Sequence, residues 1–80
     1  MTPHEIRALI IELIGAIAPE AGAASLRDDE DIREALDLDS IDMSNLVIAV
    51  HERTGIDIPE ADTHHLFRLG DAVAYLQGRA

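Results

Sequence analysis

The sequence contains no cysteine. This excludes a disulfide framework, a thiolate metal site and a thiol nucleophile. Aromatic residues are nearly absent, with only Phe67 and Tyr75, so the core must be built from aliphatic side chains. Positive charge is scarce as well: 6 Lys and Arg stand against 16 Asp and Glu, for a net charge of −10. Such a surface repels nucleic acid phosphates and anionic membranes, which makes both poor partners. It steers encounters towards basic patches on other proteins, although charge of this kind also serves solubility alone. No long apolar run is present. The stretch from Ala8 to Ala18 is interrupted by Glu12 and is too short to span a bilayer. Glu5 precedes it with no lysine, unlike a secretory signal. No internal repeat or low-complexity tract is visible. Together these absences point to a cytoplasmic protein with no membrane insertion.

What remains is a chain of 80 residues, 48% of them apolar. That fits a single domain, residues 1–80, of modest stability. Thr2, Pro3 and Glu5 form the signature of a capped helix start. Ile6, Leu9, Ile10, Leu13 and Ile17 then fall on one arc about 100° wide, with Ile11 off it. Pro19 ends this helix near Ala18. A long connection runs from Pro19 to Asp39, with Leu26, Ile32, Ala35 and Leu36 expected to pin it to the core and a helical turn expected over Asp31 to Leu36.

Asp39 is a good N-cap and Gly55 a natural stop, which predicts a second long helix from Ser40 to Thr54. Pro59 and Glu60 open a short third helix ending near His65, and Leu69 to Gln77 forms the last, with Leu69, Ala72, Val73 and Leu76 on its inner face. No stretch alternates long enough to argue for a strand. The expected fold is all-α: a four-helix bundle with a long loop between the first two helices and a short third helix.

The second long helix has two apolar faces. Met43, Leu46, Val47 and Val50 fall on one side and are expected in the core. Ile41 and Ile48 fall almost opposite, beside Ser44, Asn45, His51 and Glu52, as a docking face for a partner. Ser40 opens the helix between Asp39 and Asp42. A helix N-terminus offers free amide donors and the positive end of a dipole, so a phosphate ester on that hydroxyl is favoured there.

Here the residues carry a family resemblance. Asp39-Ser40-Ile41-Asp42 resembles the Asp-Ser-Leu-Asp motif of acyl carrier proteins. The similarity runs without a gap from about Ile32 to Gly78, through Leu46-Val47-Ile48-Ala49-Val50, Ile56-Asp57-Ile58-Pro59 and Ala72-Val73-Ala74-Tyr75-Leu76. The resemblance implies a 4′-phosphopantetheine arm on Ser40, placed there from coenzyme A by a phosphopantetheinyl transferase that recognises Asp39 and Asp42. The arm's thiol, which the chain itself lacks, holds acyl groups as thioesters and presents them to enzymes of fatty acid, lipid or polyketide-type biosynthesis. The carrier is then not an enzyme.

Its partners are acyl-transferring, ligase or condensing enzymes with basic docking patches, met by Ile41, Asn45, Ile48 and Glu52. The resemblance also implies an acyl pocket, for which Met43, Leu46, Val47, Ile58, Leu66, Ala72 and Tyr75 are the candidates. No metal site is expected, and the expected state is a monomer.

Departures from the family pattern mark a specialised, free-standing member. Asp37 stands where the family usually has glycine, which predicts a stiffer and more acidic approach to Ser40. Asn45, His51 and Arg53 replace glutamates of the usual recognition stripe. Phe67-Arg68 replaces the usual threonine start of the last helix. Peptidyl carrier domains share the bundle but differ at the position of Asp39.

Three other readings use the same residues. A Ser40–His51 catalytic pair fails on distance, because the two are three turns apart on one helix, roughly 16 Å. An EF-hand fails because Ile41 and Asp42 occupy the places of a ligand and the required glycine. A helical interaction module without a prosthetic group uses the Ile41–Ile48 face alone.

Overall fold

A computed structural model describes residues 1–79. Helix α1 spans Pro3–Ile17, a four-residue α2 spans Ile32–Ala35, α3 spans Ser40–Thr54 and α4 spans Leu69–Gln77. Two 3-10 segments, Ala23–Ser25 and Glu60–Leu66, complete the chain. The expected all-α bundle is present, with one refinement. The expected short third helix is 3-10 rather than α, so its side chains eclipse every three residues and its hydrogen bonds are poorer.

The start of α1 carries the expected capping box. The Thr2 hydroxyl accepts from the Glu5 amide at 3.1 Å, and the Glu5 carboxylate accepts from the Thr2 amide at 2.8 Å. These bonds from Thr2 hold the Glu5 carboxyl below its ordinary pKa. Ile6, Leu9, Ile10 and Leu13 are buried as the periodicity requires. The fifth buried residue is Ile14, whereas Ile17 is only half-buried. The helix ends there and its last turn extends past the core.

α1 is the hub of the fold, packing on both α3 and α4, and the Glu60–Leu66 segment rests on α4 rather than on α3. The buried core joins residues of α1, α3 and α4 with Ala23, Leu26 and Ile32 of the long connection and Leu66 of the 3-10 segment. Each large aliphatic buried here contributes about 1.5–3 kcal/mol.

Leu26 and Ile32 pin the connection as expected, and Leu36 packs half-buried against the core. Ala35 does not, being exposed. α2 is only one turn long, so Ile32 occupies its single inward position and Ala35 points to solvent. Val47, expected in the core, is half-buried, because the side of α3 that faces the 3-10 segment is not closed over.

The last helix is started by the loop rather than by its own N-cap. Arg68 supplies no side-chain cap. Instead the Gly70 amide donates to the Asp28 carbonyl at 2.9 Å. A Cβ on Gly70 would lie 3.2 Å from that oxygen, which explains the glycine. Close by, the Ile32 amide donates to the Phe67 carbonyl at 2.8 Å and the Arg68 guanidinium donates to the Asp29 carbonyl at 2.7 Å. The Phe67-Arg68 pair thus ties the start of α4 to the long connection.

Candidate functional site

The approach to Ser40 is set by how α2 ends. Asp37 has φ +53°, a left-handed conformation that favours glycine. The Leu38 amide reaches back to the Arg33 carbonyl at 2.9 Å. With Leu36 as the C-cap, this is the long bond of a Schellman motif, and Asp37 occupies the position usually held by glycine. The chain reverses there, and three residues later α3 begins at Ser40.

Asp39 and Asp42 form a second capping box. The Asp42 amide donates to Asp39 Oδ1 at 2.8 Å, and the Asp39 amide donates to Asp42 Oδ2 at 3.2 Å. Ser40 is the first residue of α3 and is exposed. Among the described residues, the amides of Ser40 and Ile41 carry no intramolecular hydrogen bond. An anion on the Ser40 hydroxyl therefore meets two free donors and the positive end of a helix dipole.

Beside Ser40 lies a cleft of about 350 Å³. It exists because the 3-10 segment leans on α4 and leaves α3 uncovered on that side. Its lining includes the apolar Met43 and Val47 of α3, Thr63 and Phe67 from and just after the 3-10 segment, and Arg33 of α2. Sequence patterning does not bring Arg33, Thr63 or Phe67 to Ser40. They come from separate segments, and the only local signal is the Asp31-x-Arg33 spacing. Asp31 caps α2 by accepting from the Arg33 amide at 2.9 Å and also binds the Arg33 guanidinium.

The other candidates for an acyl pocket are divided. Leu46, Leu66 and Ala72 lie inside the packed core at 2%, 1% and 2% exposure. Tyr75 is buried beside them, and its hydroxyl donates to Asp62 at 2.8 Å. Burial, then this bond, raises its pKa. Ile58 borders a second, more open depression with Val47, Ile48 and His51.

On the outer face of α3, Ile41 and Ile48 are 69% and 55% exposed, with Asn45 and Glu52 exposed alongside. His51 is engaged at the end of the helix, where its Nδ1 lies 2.9 Å from the Ile56 carbonyl. Among the described residues there is no group of three or more His, Cys, Asp or Glu arranged to hold a metal, and no helix long and apolar enough to cross a membrane.

A family model described as a phosphopantetheine attachment site matches residues 4–76. An acyl carrier protein of Campylobacter hominis is 34% identical over 74 residues, covering 92% of this chain and 87% of its own. One of Renibacterium salmoninarum is 35% identical over 76 residues, covering 91% and 89%. The chain belongs to the acyl carrier protein family. An acyl carrier protein bears a covalently bound 4′-phosphopantetheine and carries acyl groups on it. Its general partners are a transferase that attaches the arm and biosynthetic enzymes that use the cargo. Such a group requires a hydroxyl that another protein can reach, donors for its phosphate and space alongside. In this acyl carrier protein Ser40 is exposed, lies beside two unbonded amides and borders the cleft.

Proposed function

We propose that Ser40 is the attachment point and that residues 1–80 act as one carrier domain, not as an enzyme. The observation that carries this reading is the exposed Ser40 hydroxyl at the start of α3, with two unbonded amides beside it and an open cleft adjoining. When bound, the arm supplies a thiol on which acyl groups ride as thioesters, a chemistry this cysteine-free chain lacks.

The roles of the chain's own residues follow from their placement. The Ser40 hydroxyl receives the phosphoryl group, and the amides of Ser40 and Ile41 hold its oxygens. Asp39 and Asp42 fix the first turn of α3 through their capping box, which presents Ser40 to the transferase in one conformation. Ile41, Asn45, Ile48 and Glu52 form the docking face for acyl-transferring, ligase or condensing enzymes. Its exposed isoleucines fit apolar sockets, and the surrounding acidic surface fits a basic rim.

Met43 and Val47 shelter the near end of the cargo. Deeper entry towards Leu66, Ala72 and Tyr75 requires the 3-10 segment to move off the core. The carrier works as a monomer in the cytoplasm, where coenzyme A and such enzymes are available.

Mass spectrometry after incubation with coenzyme A and a broad phosphopantetheinyl transferase tests this directly. One phosphopantetheine is expected, located on Ser40 and lost in Ser40→Ala. A folded protein that stays unmodified would overturn the proposal and leave an interaction module using the same face.

A further inference from the structure

Arg33 is the one cationic side chain among the described residues that line the cleft beside Ser40. Its guanidinium lies over the Phe67 ring, 3.6 Å from the centroid. One edge is occupied, with Nη2 donating to Asp31 Oδ2 at 2.7 Å and Nε donating to Asp31 Oδ1 at 3.1 Å. Nη1 makes no hydrogen bond among the described residues, and the side chain is 41% exposed. The group is thus held in place by a fork on one side and an aromatic face beneath, with a donor edge left over. An arginine fixed in this way loses little further freedom when it binds an anion.

The rest of the cleft narrows what that anion is. Asp39 and Glu60 lie in the same lining and repel negative charge from their side, directing it towards Arg33. Leu46, Leu66 and Ala72 are packed in the core and take no part in the lining. A short acyl group with a charged oxygen would meet both the apolar Met43 and Val47 and the free edge of Arg33 in this lining. We infer that Arg33 binds an anionic oxygen delivered on the Ser40 arm. That oxygen belongs either to the arm's own phosphodiester or to a terminal carboxylate on a short acyl cargo. This rests on the assignment of the arm to Ser40.

The test uses the full chain in its apo, arm-only, butyryl, succinyl and octanoyl forms, made for the wild type and for Arg33→Gln and Arg33→Val. The readouts are the midpoint of thermal unfolding, referred to each variant's own apo form, and the rate of thioester cleavage by hydroxylamine. Referring each variant to its apo form removes the stability lost with the Asp31 pair.

An Arg33-dependent rise of about 2–4 °C is expected, the size of one partly exposed ion pair in a domain this small. If the arm-only form already shows it, the phosphodiester is the ligand. If it appears with succinyl but not butyryl, and succinyl cleavage is slowed several-fold, the cargo carboxylate is. Shifts that are the same with and without Arg33, or largest for octanoyl, overturn the inference while leaving Ser40 as the attachment point. A folded wild type that accepts no arm removes both.

Discussion

Replacing Asp37 measures how the chain is reversed just before Ser40. The residue sits at φ +53°, where an ordinary L-residue pays roughly 1 kcal/mol and Asp or Asn somewhat less. Glycine removes that strain but loosens the unfolded chain by about 0.5–1 kcal/mol. Asp37→Gly should therefore stay within about 0.5 kcal/mol of wild type. Asp37→Ala should lose about 0.5–1 kcal/mol, and Asp37→Val about 2 kcal/mol because its branched Cβ crowds a left-handed backbone. Asp37→Asn, equally tolerant of the conformation but uncharged, controls for electrostatics and should match or slightly exceed wild type.

Urea unfolding followed by far-ultraviolet circular dichroism suits a chain without tryptophan. At a slope of about 1 kcal/mol per molar urea, these losses are midpoint shifts of about 0.5–1 M and about 2 M. If Asp37→Val unfolds at the same midpoint as Asp37→Gly, the claim that a left-handed residue closes α2 is wrong.

Three further expectations concern stability. Leu46→Ala, at a site 2% exposed in the core, should lose about 2–5 kcal/mol, read from the same urea curves. Asp39→Ala should lose about 1 kcal/mol through its half of the capping box, with Asp39→Asn nearly neutral; equal losses would contradict the cap. Hydrogen bonding to the Arg33 guanidinium holds the Asp31 carboxyl at about 2, below the ordinary value near 4. A depressed carboxylate stabilises the fold above its unfolded pKa and ceases to as pH falls through the folded one. Between about pH 4 and pH 2 the wild type should thus lose more stability than Asp31→Asn; parallel titrations would refute the coupling.

The helices were legible because each is marked by local chemistry. Thr2 and Glu5, Asp39 and Asp42, and Gly55 are short-range signals, and the spacing of Ile6, Leu9, Ile10 and Leu13 reports one buried face. The position of Ser40 at the start of α3 was legible for the same reason, since the capping residues are its neighbours. The cleft was not. It depends on the 3-10 segment leaning on α4 instead of α3, a tertiary choice that no period reveals. Arg33 and Phe67 meet only because the Ile32 amide bonds to the Phe67 carbonyl across a long stretch of chain. Ile14 and Ile17 were exchanged for a simpler reason: an arc on a wheel does not say where the core stops along the helix axis.

Because α1 binds α3 and α4 while the Glu60–Leu66 segment leans on α4, opening that segment is expected to cost less than separating α1, α3 and α4. An outward swing of the segment would uncover Leu66, 1% exposed in the core, and break the Tyr75–Asp62 bond. Amide exchange should show the difference as two tiers. Protons of α1 should exchange only through global unfolding, while those of residues 60–66 escape through a far shallower local opening.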